Sequence, residues 1–325
     1  MHTPVLLLSV VLSTATFGQG QNQTTPAPQP RFEDALSKTV VRITATVEGV
    51  ARPLNATGFL VAIPDKRLPV KDGAFTYLVT NRHVAEAIFL GADGHPTRHR
   101  ILTMNATVNL KESVNGSRAR SIPLPPAGTQ WVFPEDNAID LAIISIPLDP
   151  TYDVVELTPE NFLTPDLWQK DRVGPGDKVL TIGYFLHYSG AHQFQPIIRE
   201  GSLAMVPDDK MSVPIGGSAK VYLADIHIIP GNSGSPLFLA PSFTMGGYLT
   251  DSKGSTPYWV FDVVSAYLWE DNELTLHAAA DFEGTLHANS GIAMIVPISQ
   301  LKDLLYSQQL QLARDHSITN LPKAQ

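Results

Sequence analysis

Short apolar runs, rich in Val, Ile and Thr, recur along the chain and are closed off by Gly, Pro, Asn or Asp. They read "VVRITATV" at 40–47, "ATGFLVAI" at 56–63, "TYLVTN" at 76–81, "LAIISI" at 141–146 and "KVLTIGY" at 178–184. Further on come "VYLADIHI" at 221–228, "SPLFLA" at 235–240, "YWVFDVVSAY" at 258–267 and "GIAMIVPI" at 291–298. Runs of this length and composition predict strands, and their spacing predicts an all-β sandwich or barrel. Residues 147–177 hold five prolines and split the runs into two groups, which predicts a connector between two β subdomains. Only the end of the chain reads as helical. Ser299 can cap "QLKDLLYSQQLQLA", where Leu301, Leu304, Leu305 and Leu312 recur at about helical spacing. A helix over 299–313 is expected, with a tail at 316–325.

The first residues follow another pattern. Val5 to Leu12 form an apolar core too short to span a bilayer, and Thr16 and Gly18 offer small residues for a cleavage site. This predicts a signal peptide over 1–18, and the Gln/Thr/Pro-rich stretch after it predicts a flexible linker over 19–37. The domain expected after it spans 38–315, with barrel one at about 38–150 and barrel two at about 173–298. An exported protein, periplasmic or extracellular and of bacterial type, is the expectation, with no stable membrane anchor after cleavage. The sequence contains no cysteine, which excludes a thiol nucleophile, a thiolate metal site and a lipid-modified cysteine. Core packing alone must then stabilise the fold, and 43% hydrophobic content over 325 residues suffices for it. A net charge of −8 without a Lys/Arg run argues against nucleic acid as a partner.

Three motifs carry chemistry. In "LVTNRHVAEA" (78–87) a strand ends and His83 opens an expected helical turn; in "EDNAIDLAIISI" (135–146) Asp140 stands directly before an apolar strand; in "PGNSGSPLF" (230–238) Ser233 sits in a Gly-Asn-Ser-Gly turn. A serine hydroxyl is a poor nucleophile at neutral pH and needs a base such as imidazole. The imidazole needs a carboxylate to hold its tautomer and to stabilise the imidazolium that forms. The oxyanion needs preorganised donors, and Gly231 allows the backbone angles that aim the N–H groups of Gly231 and Ser233 into one pocket. Each motif alone is commonly a turn, a cap or a surface histidine. Together, in the order His…Asp…Ser, they suit acyl transfer. Asp136 is the rival carboxylate but lies in a polar turn away from the apolar strand.

These motifs resemble those of the trypsin-like (chymotrypsin-fold) serine peptidases, in particular the bacterial HtrA-type and glutamyl-endopeptidase branch. "TGFLVA" and "TNRHV" resemble the strand and T-x-x-H motif around the family's histidine, "DLAII" its D-L-A motif, and "GNSGSP" its G-N-S-G-[GS]-P motif. "QPIIREGSLA" and "GIAMIVPISQLKDLL" resemble its second barrel and terminal helix, so the likeness covers about residues 38–306. It implies two six-stranded antiparallel β-barrels with a C-terminal helix. By motif it makes His83 the general base, Asp140 its orienting carboxylate and Ser233 the nucleophile. No PDZ domain is expected after the helix.

The resemblance also implies a specificity pocket. His227, six residues before Ser233, falls at its base, and Val264, Ser265 and Ala266 form its wall and substrate-pairing edge. Zymogen-activated relatives carry an Asp before the nucleophile to pair with a newly cut N-terminus; Asn232 cannot make that ion pair, so activity without propeptide cleavage is expected. The loop at 240–258 is longer than the hairpin usual in the family and could gate the pocket. His95 and His99, like His187 and His192, lack the setting of a metal site, so no metal and no cofactor is expected. The expected function is an exported serine endopeptidase acting on protein or peptide substrates through an acyl-enzyme. The alternatives are a catalytically silent binding or scaffold protein of this fold, or an esterase using the same triad. The sequence does not set the oligomeric state.

Overall fold

The computed structural model describes residues 32–321, apart from 71–72, 92, 126–129, 187, 189, 191, 241–243, 246–247, 250–258 and 278–280. The expected signal peptide, the linker as far as residue 31 and most of the 240–258 loop lie outside the described residues. The rest of the expected linker is not extended: Phe32–Ser37 form a helix, α1, whose Leu36 is buried in the core.

Two six-stranded antiparallel units follow. The first contains β1 (Val40–Val47), β2 (Leu54–Pro64), β3 (Ala74–Thr80), β4 (Ile101–Val114), β5 (Ser117–Leu124) and β6 (Ala142–Ser145), paired in the order β5-β4-β1-β2-β3-β6. The second contains β7 (Lys178–Gly183), β8 (Ile197–Met205), β9 (Tyr222–Asp225), β10 (Pro236–Ala240), β11 (Trp259–His277) and β12 (Asp281–Pro297). It closes as a barrel in the order β8-β9-β12-β11-β10-β7. Between the units lies the helix α3 (Pro165–Lys170), with the Thr164 hydroxyl accepting from Leu167 N–H at its start.

Alternation along the strands explains how the units are joined. Side chains of a strand point to opposite faces with period 2. On β1, β2, β3 and β6 one set (Val41, Ile43, Ala56, Leu60, Leu78, Ala142, Ile144) fills the first unit. The other set (Phe59, Val61, Tyr77, Val79, Leu141, Ile143) packs into a cluster shared with Ile182, Leu203, Leu237, Val263 and Ile295 of the second barrel. Through these stretches β2, β3 and β6 are buried on both faces and read as nearly unbroken apolar runs, whereas β1 alternates, with Thr46 exposed. Each fully buried Phe or Leu contributes roughly 1.5–3 kcal/mol, so this shared cluster holds the two units in register.

Two elements differ from the sequence-based expectation. β11 and β12 extend well beyond the expected runs as a two-stranded ribbon, paired from Trp269 opposite Asn289 out to His277 opposite Asp281. The C-terminal helix is two helices, α4 (Ile298–Leu305) and α5 (Gln308–Thr319), because Ser307 takes extended backbone at ψ 151°. Ser299 therefore lies inside α4 instead of capping it. Leu301, Leu304 and Leu305 are buried as expected, whereas Leu312 is exposed. Buried Arg314 fastens α5, donating to the Tyr77 hydroxyl at 3.1 Å and the Leu305 carbonyl at 3.0 Å. No helix among the described residues is long and apolar enough to cross a membrane.

Candidate active site

His83 is set by the end of β3. Asn81, extended and buried, leads into a single helical turn, α2 (Arg82–Ala85), and its amide donates to the Asp140 carbonyl at 2.9 Å. That bond ties the start of α2 to Asp140, two residues before β6. Arg82 strengthens the same junction, its guanidinium lying 4.9 Å from the Phe133 ring centroid and 3.3 Å from Glu86. His83 and Asp140 then meet in two ways: His83 N–H donates to Oδ1 at 3.0 Å, and ring Nδ1 lies 2.8 Å from Oδ2.

A third donor completes the carboxylate. The Ser265 hydroxyl, from β11 in the second barrel, donates to Asp140 Oδ2 at 2.5 Å. The Asp140 side chain is 3% exposed and that of His83 22%. Burial pushes the Asp140 carboxyl up, but the charge and hydrogen bond of His83, the Ser265 hydroxyl and the His83 N–H together hold it below its usual value. An ionised carboxylate only accepts hydrogen bonds, so the proton of neutral His83 sits on Nδ1 and the Nε2 lone pair is available. Asp136 plays no part in this geometry. Its side chain is 44% exposed, accepts from the Ala138 N–H at 3.0 Å and faces Lys210 at 3.3 Å.

The Ser233 loop is built from two left-handed glycines. Asn232 N–H bonds the Ile229 carbonyl at 3.0 Å around Pro230-Gly231, with Gly231 at φ +105°. Pro at the second position and a positive-φ glycine at the third are the residues of a type II turn. A Cβ on Gly231 would lie 2.7 Å from Tyr184 Cδ1, and one on Gly234 (φ +82°) 2.2 Å from the Thr57 carbonyl oxygen. Both glycines are therefore sterically required. Buried Asn232 donates to the Tyr184 carbonyl at 2.8 Å and accepts from the Ile229 N–H at 3.0 Å. The N–H groups of Asn232, Gly234 and Ser235 bond within the loop or to β11; those of Gly231 and Ser233 donate to no acceptor among the described residues. Ser233 Oγ donates to the Ser265 carbonyl at 3.3 Å, and no hydrogen bond joins it to His83 among the described residues.

The residues expected to form a specificity pocket are placed differently. Val264 is fully buried in the core, and Ser265 is buried with its hydroxyl on Asp140. Ala266 is partly buried and packs beside Val221, Leu223 and Met294. His227 is exposed between buried Ile226 and Ile228, not enclosed at a pocket base. Among the described residues no group of three or more His, Cys, Asp or Glu is placed to hold a metal ion. His99 instead packs edge-on against Phe89, ring centroids 5.4 Å apart.

A six-stranded antiparallel sheet carrying a His–Asp pair and a closed six-stranded barrel carrying a Gly-Asn-Ser-Gly loop have the architecture of the trypsin-like class. A profile of the trypsin-like peptidase domain matches residues 56–242, more than half of the chain, and the protein belongs to that family. A search of curated protein sequences finds no match. Among solved structures the chain is similar to the Rv3671c protease from M. tuberculosis in its active form, with 16% identity and a TM-score of 0.44, covering 91% of this chain and 93% of that one. It is similar to Deg5 at 17% identity and a TM-score of 0.44, over 83% and 88% of the two chains. The MamO protease domain from Magnetospirillum magneticum is similar at 14% identity and a TM-score of 0.44, over 83% of this chain and 97% of that one.

Proposed function

We propose that this protein is an exported serine endopeptidase in which Ser233 attacks the scissile carbonyl, His83 acts as general base and Asp140 orients and stabilises the imidazolium. The observation that carries the reading is the bidentate seat of His83 on a buried, ionised Asp140, with Nδ1–H directed to Oδ2. Rotation of the Ser233 side chain from the Ser265 carbonyl toward Nε2 would complete the relay. Catalytic hydrogen bonds are commonly long or misaligned before substrate binds. The Ser233 proton would pass to His83 as Oγ bonds the carbonyl carbon, and the oxyanion would lie against the N–H groups of Gly231 and Ser233. His83 then returns the proton to the leaving amine, and water hydrolyses the acyl-enzyme by the same steps. Substrates are proteins or peptides, as the family implies.

Activity without propeptide cleavage is part of the proposal. The place taken by an ion pair in zymogen-activated relatives is here occupied by a neutral Asn232 amide with both of its groups bonded inside the loop region. A rise in activity on trimming the purified chain would contradict this. A catalytically silent binding protein is the second reading, favoured by the Ser233 hydroxyl being bonded to the Ser265 carbonyl instead of to His83. Labelling with a fluorophosphonate separates the two. The proposal expects labelling of wild type and none of Ser233→Ala, while an unlabelled, folded wild type would mean a silent site.

A further inference from the structure

We infer that Thr57 is a positioning residue for the oxyanion-binding loop; the inference rests on the catalytic reading of Ser233 above. Thr57 lies on β2 of the first unit, within an otherwise apolar run, and is fully buried. All of its polar groups are used, and each bond reaches part of the site. Its hydroxyl donates to the Gly231 carbonyl at 2.8 Å and accepts from the Tyr184 N–H at 2.8 Å. Its N–H donates to the Ser233 carbonyl at 2.9 Å. Its carbonyl accepts from the Thr80 hydroxyl at 2.8 Å, three residues before His83.

These bonds form a closed ring. Thr57 holds Gly231 and Tyr184, Tyr184 accepts from the Asn232 side chain at 2.8 Å, and Asn232 lies between Gly231 and Ser233. The Tyr184 N–H occupies a lone pair of the hydroxyl, so its single proton is directed at the Gly231 carbonyl. Gly231 has no side chain to limit its rotation, and its N–H is a proposed oxyanion donor. Within the loop only the turn bonds between Ile229 and Asn232 span Gly231, so a bond to its own carbonyl adds a restraint that the loop does not supply. Thr57 supplies it from the opposite unit, fixing the Gly231 and Ser233 carbonyls against β2, which the Thr80 hydroxyl ties to the strand that leads to His83. The Thr57 side chain itself touches neither the nucleophile nor a substrate position.

The test compares Thr57→Val, which keeps the shape and removes the hydroxyl, with Thr57→Ser, which keeps the hydroxyl. Peptide hydrolysis is expected to show kcat reduced roughly 10- to 100-fold in Thr57→Val, below the full cost of deleting an oxyanion donor, with KM within about threefold. The fluorophosphonate labelling rate should fall in parallel, and Thr57→Ser should stay within about threefold of wild type on both measures. Hydrogen exchange of the peptide spanning 229–235 should quicken in Thr57→Val and remain as wild type in Thr57→Ser. A folded Thr57→Val with wild-type kcat and wild-type exchange would overturn the inference. If Thr57→Val does not fold, Thr57→Ala, which relieves any crowding, is read in its place. If wild type neither labels nor turns over, the catalytic reading fails, and the exchange comparison alone decides whether Thr57 holds the loop.

Discussion

Asp262 offers a stability test that is independent of catalysis. It lies on β11, opposite Leu237 on one side and Pro297 on the other, and is fully buried. Neither carboxyl oxygen meets hydrogen-bond geometry with a partner among the described residues. Burial pushes its pKa well above the usual value of 3.8, with only the Ile298 N–H at the start of α4 acting in the opposite direction. The folded protein therefore keeps a proton that the unfolded chain releases. Stability from this proton is complete below the unfolded pKa and is lost as pH rises toward the folded one, at about 1.4 kcal/mol per pH unit. Asp262→Asn cannot ionise, so its stability relative to wild type should climb by that slope as pH rises from 4. Asp262→Val, which cannot ionise either and also removes the unsatisfied oxygens, should climb with the same slope and lie roughly 1–3 kcal/mol above Asp262→Asn at every pH. Urea unfolding of the three proteins from pH 4 to 8 provides the measurement, and pH effects common to all three cancel in the differences. A wild-type-minus-Asn difference that stays flat over this range would refute the reasoning.

Two further predictions concern the site. Ser265→Ala removes one of three donors to Asp140 and should lower kcat about tenfold with little change in KM, because a hydrogen bond to a buried charge contributes roughly 1.5–3 kcal/mol; steady-state kinetics on a peptide substrate will show it. Gly231→Ala should abolish fluorophosphonate labelling while the protein stays folded by circular dichroism, since its Cβ would meet Tyr184 at 2.7 Å in a φ +105° conformation.

The sequence made the strands of the shared core readable because they are buried on both faces, as in "TGFLVA" and "DLAIIS". β4 and β5 went unread because "KESVNGSRARS" is polar, and the signal it does carry is the turn: Asn115 and Gly116, both at positive φ, close the hairpin between paired Val114 and Ser117. The terminal helix was visible in its leucine spacing, but its break was not, since nothing local in "LYSQQ" forces Ser307 out of the helix. His83, Asp140 and Ser233 stood out because each has a distinctive local setting. The parts played by Ser265 and Thr57 depend on partners 125 and 174 residues away in the chain, so no local pattern could reveal them. The one trace of Thr57 was a hydroxyl within an apolar strand, a position that requires hydrogen-bond partners from elsewhere in the fold.

The most direct test of the account is the site and stoichiometry of fluorophosphonate modification, read by intact mass and then by peptide mass spectrometry on protein with no N-terminal trimming. The account predicts one adduct per chain, on Ser233, lost in His83→Ala. Modification at another residue, or labelling of Ser233 that persists at the wild-type rate without His83, would contradict it.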